Sequence, residues 1–398
     1  MYKSFNADNP YRSITLVFVL LSSVPIINLF LWKFDQISYI TLWGLFGFFV
    51  ISIFFTLRTY QQTWATLLFL ATVLIVMLHS ATLGWDARSI WLYHAKVIFY
   101  ENSLYATLKL DSFTGHADYP VGFSALAASL VKLLNSWNEV YPKSATWPFM
   151  AAPLLLITNN LQENKKIIIF LCLLVLSCGK YIANGYMDVL VALYILALLI
   201  VLQNISQQSS TKKYLTNHFL FILVFCLAFN LLNLKNEGMA AVIIIGVLSL
   251  FWLPPKQRTI VVISFGFSLF VYLFTWKIPV LNAGLSIGLF NSQSISQLID
   301  RMTNLNELGL ILVAFIKNIS LGLGMLAIAH INSKSTNYKI IPPFPIIFLA
   351  LYVGLLFTIY IITPHDLRWH LSSSANRTLM PVNIGLMFFA LKAFDLKR

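Results

Sequence analysis

Five short stretches place acids, cations and imidazoles between long apolar runs of the chain. The first, GWDARSIWLYHAKVIFY (84–100), holds Asp86, Arg88, His94 and Lys96 among aromatic residues. The second is GHADYPVGF (115–123), with His116, Asp118 and Tyr119. The third is CGKYIANGYMDV (178–189), with Lys180 and Asp188, and the fourth is LKNEGM, with Lys235 and Glu237. The fifth, TPHDLRWHLSSSANR (363–377), crowds His365, Asp366, Arg368, His370 and Arg377.

Each stretch has a bland reading and a chemical one. Asp86 follows Gly84 and Trp85 where an apolar run ends, and Asp is among the best helix N-caps. A carboxylate at such a low-dielectric mouth is equally placed to act as a general base, once burial and nearby cations set its pKa. Arg88 and Lys96 could supply those cations or bind an anionic group. Asp118 before Tyr-Pro suits a turn whose acid complements a helix dipole, and Asp188 suits the first turn of the next helix. Lys235 and Glu237 fit a tight hydrated turn. The density of His, Arg and Trp at 363–377 is harder to explain by a hydrated loop alone. His365 and His370 are five apart, unlike HExxH, so a divalent metal there would have to borrow distant carboxylates. No Gly-rich phosphate cradle precedes a Lys-Ser or Lys-Thr.

What must position these residues is a membrane. Of 398 residues 59% are hydrophobic and 10% charged, and the mean hydropathy is +0.78. That leaves too little polar surface for a soluble globule. The net charge of +13 is scattered singly or in pairs, without the basic stripe that nucleic acid requires. Cys172, Cys178 and Cys226 fall in apolar segments, with no zinc or disulfide spacing. Lys3 and Arg12 precede a run about as long as a full span, read as a retained helix rather than a signal peptide.

About twelve transmembrane helices (11–13) are expected at roughly 20 residues each, making one all-α integral membrane domain over 1–398. Three spans occupy 1–83, including one at 39–57. An outer loop at 84–144 carries interfacial helices near 86–101 and 120–135, the second with Pro120 in its first turn. Central spans fill 145–276. A second outer loop at 277–307 contains SISQLIDRMTNL, an amphipathic helix with Ser294 and Gln297 as a capping box and Ile295, Leu298, Ile299 and Met302 on one face. The last spans occupy 308–398.

With cytoplasmic termini, Arg58, Lys165–Lys166, Lys212–Lys213, Lys256 with Arg258, Lys334 with Lys339, and Lys397–Arg398 all lie inside, as the positive-inside rule asks. Most acids, Asp86, Asp118, Asp188 and Glu237 among them, then fall outside or at outer helix ends.

In that order WDARSIWLYHAKVIFY, HADYPVG, NGYMDVLVAL, LKNEG and TPHDLRWHLSSSANR resemble bacterial multi-spanning proteins of the GT-C glycosyltransferase superfamily, over about residues 84–377. Such proteins move a sugar from a polyprenyl-phosphate carrier to an acceptor at the outer face of the membrane. The resemblance implies that Asp86 is the essential Asp of the first large outer loop, with Asp118 and Asp188 as supporting acids. It departs in two ways. The loop follows the third span rather than the first, and His94 and Ala117 stand where Lys and Pro are expected.

Transfer from a sugar phosphate needs a carboxylate to take the acceptor's proton and cations to hold the leaving phosphate. Arg88, Lys96, His116, Tyr119, Lys180, Lys235, Glu237, His365, Arg368, His370 and Arg377 are the expected substrate-binding residues. The expected partners are the lipid-linked donor, membrane lipids and a glycan, lipid or protein acceptor, with no nucleic acid. No cofactor is assigned, and a divalent metal is the minor alternative. The rival readings are a transporter or flippase of lipid-linked or anionic solutes, whose charges would lie at mid-membrane, and a metal-dependent membrane hydrolase.

Overall fold

The computed structural model describes residues 11–31, 47, 50, 64–81, 83–110, 116–207, 217–285, 293–333 and 343–394. All but two residues of the expected span at 39–57 lie outside the described residues, as do Arg58, Lys212, Lys213, Lys334, Lys339, Lys397 and Arg398. Among the described residues the chain is helical, without a strand. It forms two compact units, Met1–Ile168 with Lys180–Leu285, and Ile169–Gly179 with Ser286–Arg398.

The first unit contains α1 (Tyr11–Leu31), α2 (Trp64–His79), α3 (Leu92–Glu101) entered through a π turn at Ala87–Trp91, α4 (Gly122–Leu134) and α5 (Thr146–Leu161). After α6 (Asn164–Cys178), most of which belongs to the second unit, come α7 (Asp188–Ser206), α8 (Asn217–Leu232), α9 (Asn236–Trp252) and α10 (Pro255–Asn282). The centre is α7. It is apolar all round, the pattern of an interior helix, and 89% of its apolar window is buried. Tyr194 on α7 receives Phe18 of α1 at 5.8 Å and Phe149 of α5 at 6.4 Å between ring centroids. The Phe18–Tyr194 pair is edge-on, a geometry that adds to simple area burial.

The second unit contains the part of α6 from Ile169 on, α11 (Gln293–Thr303), α12 (Leu305–Ser333), α13 (Pro343–Ile362), α14 (Leu367–Thr378) and α15 (Met380–Ala393). Asn383 of α15 fastens it. Its Oδ1 accepts from the Gly322 N–H at 2.7 Å, and its Nδ2 donates to Ser177 Oγ at 2.8 Å. Only 17% of the α12 apolar window is buried. Val313, Ile316 and Ile331 are exposed, an apolar helix surface compatible with a membrane neighbour.

Two expectations change. Among the described residues four helices, rather than about twelve, are long and apolar enough to cross a membrane: α7, α10, the Leu305–Asn332 part of α12, and α13. Five further apolar helices have only 10–17 residues, and at 1.5 Å per residue they fall short of a core roughly 30 Å thick. Counting apolar residues overlooked where turns stop a helix. The second interfacial helix is also a packed core element. Gly122, Ser124, Ala125, Ala127 and Ala128 of α4 are buried, because small side chains let α3 approach and Ser124 Oγ donates to the Trp91 carbonyl at 2.7 Å. The helix starts at Gly122, so Pro120 precedes it. The amphipathic helix α11 is present, with Ile299 and Met302 exposed. The side chains of Ser294 and Ile295 lie outside the described residues.

Candidate active site

In the first unit the DYP turn is built by His116, whose φ of +45° lies in the left-handed region that His tolerates better than most residues. The Tyr119 N–H closes the turn on the His116 carbonyl at 2.9 Å, and the His116 ring meets the Tyr119 ring edge-on at 5.2 Å. The turn meets two others. Asp118 Oδ2 accepts from Asn236 Nδ2 at 2.9 Å, and the Asp118 carbonyl accepts from Trp276 Nε1 at 3.3 Å and Lys277 Nζ at 3.5 Å. Lys277 Nζ also donates to Asn236 Oδ1 at 2.9 Å, so Asn236 joins an acid to a buried lysine. Lys277 ends a π turn, Leu273–Lys277, inside α10, and such turns recur at functional sites.

The LKNEG turn between α8 and α9 depends on Gly238, where a Cβ would stand 2.1 Å from the Leu231 carbonyl oxygen. This close approach aims Lys235 at the start of α7. Its Nζ lies 2.9 Å from Asp188 Oδ1 and 2.9 Å from Glu237 Oε1. Glu237 Oε2 is buried and has no hydrogen-bond partner.

Tyr119 gathers the set. Burial pushes its phenol well above the usual range, Glu237, Asp118 and Asp86 push the same way, and Lys235 opposes them. Three carboxylates and a lysine thus act on one hydroxyl. Asp86 is half-buried with φ −60° and ψ −34° and makes no side-chain capping bond, so its carboxylate does not serve as the cap that its position allowed. Gly84 sets its place. The Gly84 N–H donates to the Asn184 carbonyl at 3.0 Å, and a Cβ on Gly84 would lie 1.6 Å from the Tyr186 ring.

Of the expected residues, Asp86, Asp118, Asp188, His116, Tyr119, Lys235 and Glu237 come together here. Arg88 and Lys180 are exposed, and Lys180 lies over the Tyr181 ring at 5.8 Å. Lys96 is exposed and paired with Glu139 at 2.6 Å; that hydrogen bond raises its pKa. His94 is fully buried.

Two residues that the sequence reading missed join the set, Asn236 and Lys277, and a third buried lysine, Lys143, was also not anticipated. Lys143 is fully buried, donates to the Ser80 carbonyl at 2.5 Å, and has its pKa lowered by that burial. The signal for Lys277 was a lone lysine at the edge of an apolar run. Lys143 had none.

In the second unit Asp366 is the N-cap of α14, accepting from the Trp369 N–H at 2.8 Å, and Arg368 is exposed. Arg377 Nε donates to the Ser373 carbonyl at 3.2 Å. Arg301, which was not anticipated, clamps the end of α13. Its Nη1 donates to the Tyr360, Ile361 and Thr363 carbonyls at 3.2, 3.0 and 2.8 Å, and its Nη2 to the His365 carbonyl at 3.1 Å. These are carbonyls that a helix end leaves without intrahelical partners. Among the described residues no three His, Cys, Asp or Glu gather to hold a metal ion.

His370 sits 4.8 Å from the Tyr360 ring and 5.6 Å from the His365 ring, and its Nδ1 is buried without a hydrogen-bond partner. Burial first, then the positive charges of His365, Arg301 and Arg377, push its pKa down to about 4. The folded state therefore excludes a proton that the unfolded chain accepts near pH 6.5. Its contribution is complete above that value and is lost as pH falls through about 4. Thermal unfolding in detergent should show the midpoint falling below about pH 6.5, with a shallower fall in His370→Gln. Identical pH profiles would refute this.

No protein-family model matches the chain, and neither a curated protein nor a solved structure matches it.

Proposed function

We propose that the chain is an integral membrane glycosyltransferase of GT-C type, moving a sugar from a polyprenyl-phosphate carrier to an acceptor at the outer face of a bacterial inner membrane. The observation that carries this reading is the meeting of four of the five motifs around Tyr119 and Lys235. In the reaction Asp86 takes the proton of the acceptor hydroxyl and the acceptor oxygen bonds to the anomeric carbon. The carbon–phosphate oxygen bond breaks, and polyprenyl phosphate leaves with inversion.

Lys235 is already neutralised by two acids. Lys277 has only an amide oxygen and a carbonyl as hydrogen-bond acceptors, with no carboxylate within ion-pair distance among the described residues. A buried cation in that state is costly, and an incoming phosphate would relieve it. Lys277 is thus better suited to the leaving group than the exposed Lys96 and Lys180.

One observation favours the transporter reading, the π turn beside Lys277 within a long apolar helix. An assay in vesicles with radiolabelled polyprenyl-phosphate sugar separates the two. The transferase releases polyprenyl phosphate and labels an acceptor, whereas a transporter moves the label chemically unchanged. In a cysteine-free background, cysteine at Ser372 should react with an impermeant outside reagent and cysteine at Lys165 should not. The reverse pattern would place the site on the inner face.

A further inference from the structure

A cavity of about 450 Å³ opens on the first unit, lined by none of the residues gathered around Tyr119. One wall is a stripe of α3. Tyr93, Lys96, Val97, Tyr100 and Glu101 follow one another at offsets of three, four, seven and eight residues, which places them on one helix face. The opposite face, with Leu92, Ala95 and Ile98, is buried. Asn102, at φ +51°, ends α3 in the left-handed conformation, and the chain then forms the 3-10 turn Leu104–Lys109. Three residues per turn align Ala106 with Lys109, and with Leu110 they make the second wall.

The chemistry of these walls is mixed in a particular way. Tyr93 and Tyr100 are 41% and 60% exposed, with Val97, Ala106 and Leu110 supplying apolar surface between them. Lys96 is taken up by Glu139. Glu101 and Lys109 are exposed, and among the described residues neither has an ion-pair or hydrogen-bond partner. The groove therefore presents one uncompensated cation, one uncompensated anion, two aromatic faces and an apolar floor.

We propose that this groove binds the headgroup of a zwitterionic aminophospholipid, with the phosphate on Lys109, the ammonium between Glu101 and the tyrosine rings, and the acyl stem over Val97 and Leu110. The ammonium gains from both a carboxylate and aromatic faces. A lysine is a compact point charge suited to phosphate. An anionic headgroup would set a like charge against Glu101, and a neutral saccharide would leave both ions unmatched. The volume falls in the range of small-molecule sites, and tyrosines at headgroup level are the usual anchors of interfacial elements. The proposal needs the chain to lie in a membrane but does not rest on the glycosyltransferase reading.

The test uses the full-length protein in detergent, titrated separately with short-chain phosphatidylethanolamine, short-chain phosphatidylglycerol and a disaccharide, and read by native mass spectrometry. Phosphatidylethanolamine should bind about fivefold or more tighter than phosphatidylglycerol, the ratio that about 1 kcal/mol of ion pairing supplies. Glu101→Gln should abolish that preference, and Lys109→Gln should weaken both lipids several-fold. Both side chains are exposed, and unchanged thermal unfolding of each variant excludes a folding defect. Equal binding of the two lipids, preference for the anionic lipid or the disaccharide, absence of lipid binding, or insensitivity to both substitutions would each overturn the proposal.

Discussion

Lys235→Met should lower the thermal midpoint of the purified protein by about 5 °C. The side chains of Lys235 and Asp188 are 8% and 3% exposed, and the same ammonium also serves Glu237. Its removal leaves Asp188 charged at the buried start of α7 with its lysine gone. Truncating one partner of a buried pair typically costs about 3–5 kcal/mol, most of it from the charge left behind. That reasoning has a second consequence. Lys235→Met combined with Asp188→Asn and Glu237→Gln should recover much of the loss, since an uncharged, well-packed replacement is often neutral. A midpoint within about 1 °C of wild type for the single variant would mean that water already reaches the pair and that the site is more open than its burial indicates.

The polar motifs announced themselves because charges stand out against an apolar chain, and most helices were legible for the same reason. The positions of Asp188 at the start of α7 and of Lys235 and Glu237 in the α8–α9 turn follow from where the apolar runs stop. What a single sequence conceals is partnership. Nothing local to Lys143 distinguishes it from a surface lysine, because its contacts, with the Ser80 carbonyl and the chain at Gly185, come from distant positions. Arg301 looked like one charge of an amphipathic helix, yet its guanidinium closes the end of α13, a contact across 59 positions or more. Lys96 shows the converse. Its place among aromatics in the first motif marked it for a substrate, and the fold turns it outward to Glu139. The span count went astray for a different reason. Apolar content does not separate a helix whose apolar surface is mostly exposed, such as α12, from a shorter helix packed into the protein, such as α4.

Asp86→Asn should reduce turnover by about 10²- to 10⁴-fold, the usual cost of losing a positioned general base, while folding and donor affinity stay close to wild type. Asn is as good a cap as Asp, and no side-chain cap is made here in any case, so a capping role gives no reason for the loss. The other two expected acids are engaged in side-chain contacts. Asp188 is held by Lys235, and Asp118 accepts from the Asn236 amide. A carboxylate held by an ammonium is a poorer base, because the cation favours its ionised form. Asp118→Asn should therefore lower turnover less, chiefly by loosening Asn236 and, through it, Lys277, and its effect should appear in donor affinity. Turnover close to wild type in a well-folded Asp86→Asn protein would remove Asp86 from the reaction. The base would then be sought in Glu237, whose Oε2 is buried beside the same tyrosine without a hydrogen-bond partner, and Glu237→Gln would become the decisive variant.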